Sequence, residues 1–78
     1  MLLSYQEKIK QLMIDDLYSY MHSYSRISSK QITKDNILKV LDKLKIKSPW
    51  EFVKHYNFKD AYNQFISDYV DYFGIVKS

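Results

Sequence analysis

Punctuation limits this chain more than composition does: its 78 residues include one glycine, Gly74, and one proline, Pro49. Tight hairpins need glycine or asparagine at positive φ, and a sheet of several strands needs many such turns. In their place stand long stretches in which apolar residues recur every three or four positions, the period of a helix with one covered side. The expected fold is all-α, a compact single-domain bundle of four helices at about 4–25, 33–45, 49–56 and 58–73, with the whole of 1–78 as one helical domain.

The helix boundaries follow from capping chemistry. Ser4-Tyr5-Gln6-Glu7 has capping-box spacing, in which a serine accepts from the third helical N–H and a glutamate reaches back. Ser48-Pro49-Trp50-Glu51 repeats that spacing and adds proline at the first helical position, where its missing N–H costs nothing. The second helix starts near Ser29 or Thr33, and Ile37, Leu38, Val40, Leu41 and Leu44 share one arc of it. Asn57 is expected to cap the fourth helix, where Phe58, Tyr62, Phe65, Tyr69 and Tyr72 recur at core spacing, and Gly74 to end it in the left-handed conformation. Trp50 is expected as an anchor wedged between the second and fourth helices.

The first helix carries more apolar residues than one covered side requires. On a wheel of about 100° per residue with Ile9 at zero, Tyr5, Leu12, Met13, Tyr20 and Tyr24 fall within about 60° and form the expected core stripe. Leu17 and Met21 follow at about 80° and 120°, Ile14 at about 140° and Tyr18 at about 180°, so the apolar surface continues round one flank. One reading makes this the central helix, covered on both flanks. The other leaves Ile14, Tyr18 and Met21 partly exposed, joined by His22 and Arg26, as a protein-binding patch or dimer seam. Asp16, at about −20°, falls inside the expected core stripe and must find a tyrosine hydroxyl, a lysine or His55.

Charge is unevenly placed. Residues 30–47 hold six lysines against two aspartates, whereas 1–29 are neutral and 48–78 carry one net negative charge. Lys34, Lys39, Lys43, Lys45 and Lys47 form the alternative site, a basic edge that could neutralise nucleic-acid phosphates. A helix-turn-helix fits ITKDNILKVLDKLKIKSPWEFVKHY poorly: Lys45 stands where a glycine is wanted, and Glu51 takes a position that should be apolar.

Other chemistry has little support in the residues. With no cysteine there is no disulfide framework, thiol nucleophile or cysteine zinc site. Glu51 and His55 share a helical face, but two ligand types at that spacing recur by chance, so neither metal nor cofactor is expected. No serine sits in a nucleophile elbow, so no catalytic residue is assigned. The N-terminal MLLSYQEKIK lacks the apolar run and cleavage site of a secretory leader, and no stretch reaches the roughly 18 apolar residues of a membrane span. The expectation is a cytoplasmic, non-enzymatic, small regulatory or inhibitory module that binds another protein or a copy of itself, with nucleic-acid binding through the lysine segment as the alternative. Small proteins of this bias are common on phages and other mobile elements, where many inhibit host nucleic-acid machinery; that finer expectation rests on size and composition and on no particular residue.

Overall fold

The computed structural model describes residues 4–75. The first three residues of the segment weighed as a leader, and the last three of the 1–78 span, lie outside them. The fold is all-α. Helix α1 (Tyr5–Tyr24) leads through a 3₁₀ turn (Ser29–Gln31) to α2 (Lys34–Leu44), α3 (Pro49–His55) and α4 (Ala61–Phe73). Helix α1 is central: α2, α3 and α4 all pack on it, and α2 also packs on α4. Among the described residues no helix is long and apolar enough to cross a membrane.

The helix starts are built as their residues dictate. The hydroxyls of Ser4, Thr33 and Ser48 accept from the backbone N–H groups of Glu7, Asn36 and Glu51. Glu51 also reaches back, accepting from the Lys47 N–H at 2.8 Å, which leaves it exposed at the surface. The last three helices end by one device, whereas α1 ends at extended Ser25. After α2, α3 and α4 a left-handed residue, Lys45, Asn57 or Gly74, turns the chain. The next N–H then bonds back five residues, Ile46 to Leu41, Phe58 to Val53 and Ile75 to Val70. Asn57 therefore closes α3 and does not cap α4, which starts three residues later than expected because Phe58 and Asp60 are also left-handed. Lys45 adopts the conformation for which glycine seemed to be needed.

The core is formed by Met13, Ile14, Leu17 and Met21 of α1, Ile37, Val40 and Leu41 of α2, Phe52 of α3, and Phe65, Ile66 and Tyr69 of α4. Ile27, Ile32, Ile46 and Tyr56 close it from the connections. Aromatic contacts cross the molecule from Tyr24 through Tyr20, Tyr62, Phe52, Phe65 and Tyr69 to Phe73. Tyrosines in the interior keep their hydroxyls bonded. Tyr69 donates to the Gln31 carbonyl at 2.5 Å and pins the 3₁₀ turn, and Tyr56 donates to Asp68 at 2.5 Å. Among the described residues no buried side-chain nitrogen or oxygen lacks a partner.

The inward side of α1 corrects the expectation. The buried arc runs over Met13, Ile14, Leu17 and Met21, about a quarter turn from the stripe centred on Ile9. Of that stripe, Tyr5, Leu12 and Tyr24 are exposed. The reason is partly one of length: at 1.5 Å per residue α1 is about 30 Å long and the seven-residue α3 about 10 Å, so α3 covers only part of its side of the rod. Two ion pairs between α1 and α2, Lys10 to Asp42 and Lys34 to Asp15, both at 2.9 Å, accompany the rotation. Trp50 is no wedge between α2 and α4; it stands in solvent at the start of α3.

Candidate protein-docking face

The side of α1 left uncovered by α2 and α4 continues onto α3 and the turn after it. Tyr5 is 76% exposed, Leu12 66%, Trp50 65% and Phe58 62%. Each is held by the local structure. Tyr5 is the first residue of α1, behind the Ser4 cap; Trp50 follows Pro49 at the start of α3; Leu12 lies opposite the buried arc. Phe58 follows left-handed Asn57 and is itself left-handed, at φ 61°. A bulky side chain in that region costs about 1–2 kcal/mol.

Phe58 is also the exception among the three helix ends. The apolar residue after the left-handed position normally packs back on its own helix. Ile46 is buried and Ile75 half-buried, but Phe58 points out and meets the ring of Trp50 edge-on at 5.6 Å. Strained backbone thus presents two large aromatic side chains to water.

These residues border a groove. A hollow of about 590 Å³ lies between Tyr5 and Ile9 of α1 and Pro49, Trp50 and Glu51 of α3. A second adjoins it at Pro49, between Leu12 and Asp16 on one side and Val53 and Tyr62 on the other. A third continues past Val53 and Tyr62 to Tyr20. Asp16 sits on this outer wall, where the Tyr62 hydroxyl donates to it. The expected tyrosine partner is present, but the carboxylate needs no burial because its stripe faces outward. Tyr20 donates to Asn63 at 3.1 Å and packs its ring, tilted, against both Tyr24 and Tyr62, so Tyr24 continues the same surface.

The residues assigned to a patch from the sequence lie elsewhere. Ile14 and Met21 are inside the single chain, 9% and 0% exposed, and form no external patch. Tyr18 is half-buried, with the Lys34 ammonium 5.3 Å from its ring centre and the His22 ring tilted against it at 4.3 Å. His22 places Nε2 3.3 Å from the Ile32 carbonyl, and Arg26 is exposed beyond the end of α1. Of the flank expected to dock, Ile14 and Met21 belong to the core, as the central-helix reading has it; of the stripe expected to be core, Met13 is enclosed, Ile9 and Tyr20 are half-buried, and Tyr5, Leu12 and Tyr24 are exposed. Tyr5 and Leu12 already stood in the sequence at helical spacing; what was missing was the direction of the helix's inward side.

The lysines are placed less uniformly than their sequence suggests. Lys34 is tied to Asp15, whose hydrogen bond and charge hold its ammonium above the ordinary lysine range. Lys43 lies 5.7 Å over the Tyr72 ring and shares a hollow with Asp68 and Asp71. Lys39, Lys45 and Lys47 are exposed. Among the described residues no group of three or more His, Asp or Glu side chains is placed to hold a metal ion. No protein-family model, curated protein or solved structure matches the chain.

Proposed function

We propose that this protein is a small non-enzymatic helical module, regulatory or inhibitory, that acts in the cytoplasm by associating with another protein chain through the aromatic groove of α1 and α3. One observation carries the reading: five large apolar side chains, Tyr5, Leu12, Tyr24, Trp50 and Phe58, are exposed along α1, α3 and the following turn, while a closed core exists without them. With roughly 150–250 Å² for each aromatic side chain, they present on the order of 600 Å² of accessible surface, at the upper end of the patches found on monomers. Tyrosine and tryptophan suit such a place, because each offers a large rigid area with a polar end that tolerates water before docking.

The test is affinity capture from the cell that makes the protein, comparing the wild type with a Leu12→Glu/Trp50→Ser double variant. Both side chains lie outside the core, so circular dichroism should be unchanged. The expected outcome is a protein partner that survives nuclease treatment and is lost with the double variant. Retention by the double variant refutes this face as the docking site.

The lysine reading keeps one supporting observation, the exposure of Lys39, Lys45 and Lys47 along and beyond α2. Phosphate binding weakens steeply with salt, whereas an apolar groove is comparatively indifferent. Capture abolished by nuclease, together with duplex or single-strand affinity that collapses at raised salt, would favour it over the groove.

A further inference from the structure

We infer that the chain covering this groove is a second copy of the protein, docked with α1 antiparallel to α1 about a two-fold axis at Leu12. The inference rests on the reading of this face as a docking surface and adds the identity of the occupant.

Three observations support it. The first is area. At the same rate per side chain Tyr5, Leu12, Trp50 and Phe58 expose on the order of 500 Å², Tyr24 lying beyond the start of the opposite α1, and with a polar rim this approaches the roughly 800 Å² that each partner contributes to a standard-size interface. A two-fold pair uses the same patch twice and leaves no complementary surface to be found elsewhere.

The second is shape. Leu12 is a protruding aliphatic side chain on a face otherwise edged by aromatics, and it lies beside the hollow formed with Asp16, Pro49, Val53 and Tyr62. An axis at Leu12 sets the two leucines against each other, between the hollows of the two copies. It also sets Tyr5 of one copy level with Ser19 of the other, so that a large side chain faces a small one.

The third is charge. Along the outer side of α1 the exposed charges change sign on passing Leu12, from Lys8 before it to Asp16 after it, Asp15 being paired with Lys34. Antiparallel pairing about Leu12 brings Lys8 of each copy level with Asp16 of the other. Parallel pairing would set like against like. Asp16 is engaged by Tyr62 through one carboxylate oxygen, Oδ2, and the other oxygen can accept from a lysine. Antiparallel helices also oppose their macrodipoles.

Trp50 is the sole tryptophan and stands on this face, so its emission reports directly on coverage. The experiment measures sedimentation or light-scattering mass across micromolar concentrations, with Trp50 emission recorded on the same samples. The expected result is a transition from the 9.5 kDa chain to twice that mass, with a blue shift of Trp50 at the same midpoint. Leu12→Glu should raise the dissociation midpoint by at least about tenfold. Lys8→Glu and Asp16→Lys should each weaken pairing, and an equimolar mixture of the two should restore it, since both sets of opposite charges are then re-formed.

A wild type that stays monomeric throughout overturns the proposal, as does a dimer indifferent to Leu12→Glu. If that monomer still captures a nuclease-resistant protein through Leu12 and Trp50, the second copy is excluded and the docking face stands. If capture also ignores those substitutions, both fail.

Discussion

Helix α1 has two apolar sides, and they are made of different residues. The inward side is Met13, Ile14, Leu17 and Met21, side chains without a hydrogen-bonding end, all enclosed. The outward side is Tyr5, Leu12 and Tyr24, flanked by Tyr20 and by Trp50 and Phe58 from the neighbouring segment. Aliphatic and thioether side chains gain most from complete removal from water, and methionine adapts to the irregular spaces between helices. Tyrosine and tryptophan can wait in water and still contribute large area when covered. Chemical type therefore separates the two sides better than periodicity does, with the half-buried Ile9 and the exposed Leu12 the exceptions on the outer side and Leu12 for that reason its most informative residue.

The strongest attempt to break this contrast substitutes one leucine on each side. Leu17→Ala removes a side chain that is almost fully enclosed and should lower unfolding stability by about 2–5 kcal/mol. Leu12→Ala, measured at concentrations too low for association, should change it by less than about 0.5 kcal/mol. Urea denaturation of both variants decides the matter: comparable losses would show that the outer side belongs to the core.

Alkaline pH probes the inward tyrosines. Burial, reinforced at Tyr56 by the adjacent Asp68 carboxylate, pushes the phenol of Tyr56 up, and burial does the same at Tyr69. A raised folded-state value means that the fold favours the neutral phenol. The stabilisation it brings is complete below the ordinary tyrosine value of about 10 and is lost as pH rises beyond it. Stability should fall by up to about 1.4 kcal/mol per pH unit for each such tyrosine. Tyr56→Phe should flatten that fall, which chemical denaturation at a series of pH values above the ordinary tyrosine range measures. An unchanged slope in Tyr56→Phe would remove Tyr56 from the linkage.

How far the sequence could be read follows the same division. Helix α2 was legible because its apolar residues occupy one arc: Ile37, Val40 and Leu41 are enclosed, with Leu38 and Leu44 at the edges. Local chemistry was legible too, since Ser4, Ser48 and Gly74 act within a few residues of themselves. The inward side of α1 was not. Its apolar residues extend over most of the circumference, so period alone cannot choose a direction, and the choice depends on α2 and on the contacts of Asp15 and Lys10 with residues distant in sequence. The turn at Asn57 to Asp60 was misread because asparagine serves equally as a helix start and as a left-handed stop. The candidate groove inherits both difficulties, being formed where the unchosen side of α1 meets Trp50 and that turn.

The smallest expected effects sharpen the contrast furthest, because they separate strain that serves the interior from strain that serves the surface. Lys45 and Phe58 are both left-handed, at φ 60° and 61°. Lys45 turns the chain so that Ile46 enters the core, whereas Phe58 carries its own ring outward to Trp50. Glycine at either position relieves a steric cost of about 1–2 kcal/mol and gives back about 0.5–1 kcal/mol in chain entropy, for a net gain near 0.5 kcal/mol. Lys45→Gly should show that gain without altering Trp50 emission or any association. Phe58→Gly should be equally stable or slightly more so, yet weaken association through the groove, because what it deletes is contact area for a partner and hardly any of the chain's own core. Thermal melts recorded beside the concentration series distinguish the two. A Phe58→Gly variant destabilised by more than about 1 kcal/mol would mean that its ring supports the fold, and the strained turn would then need no partner to account for it.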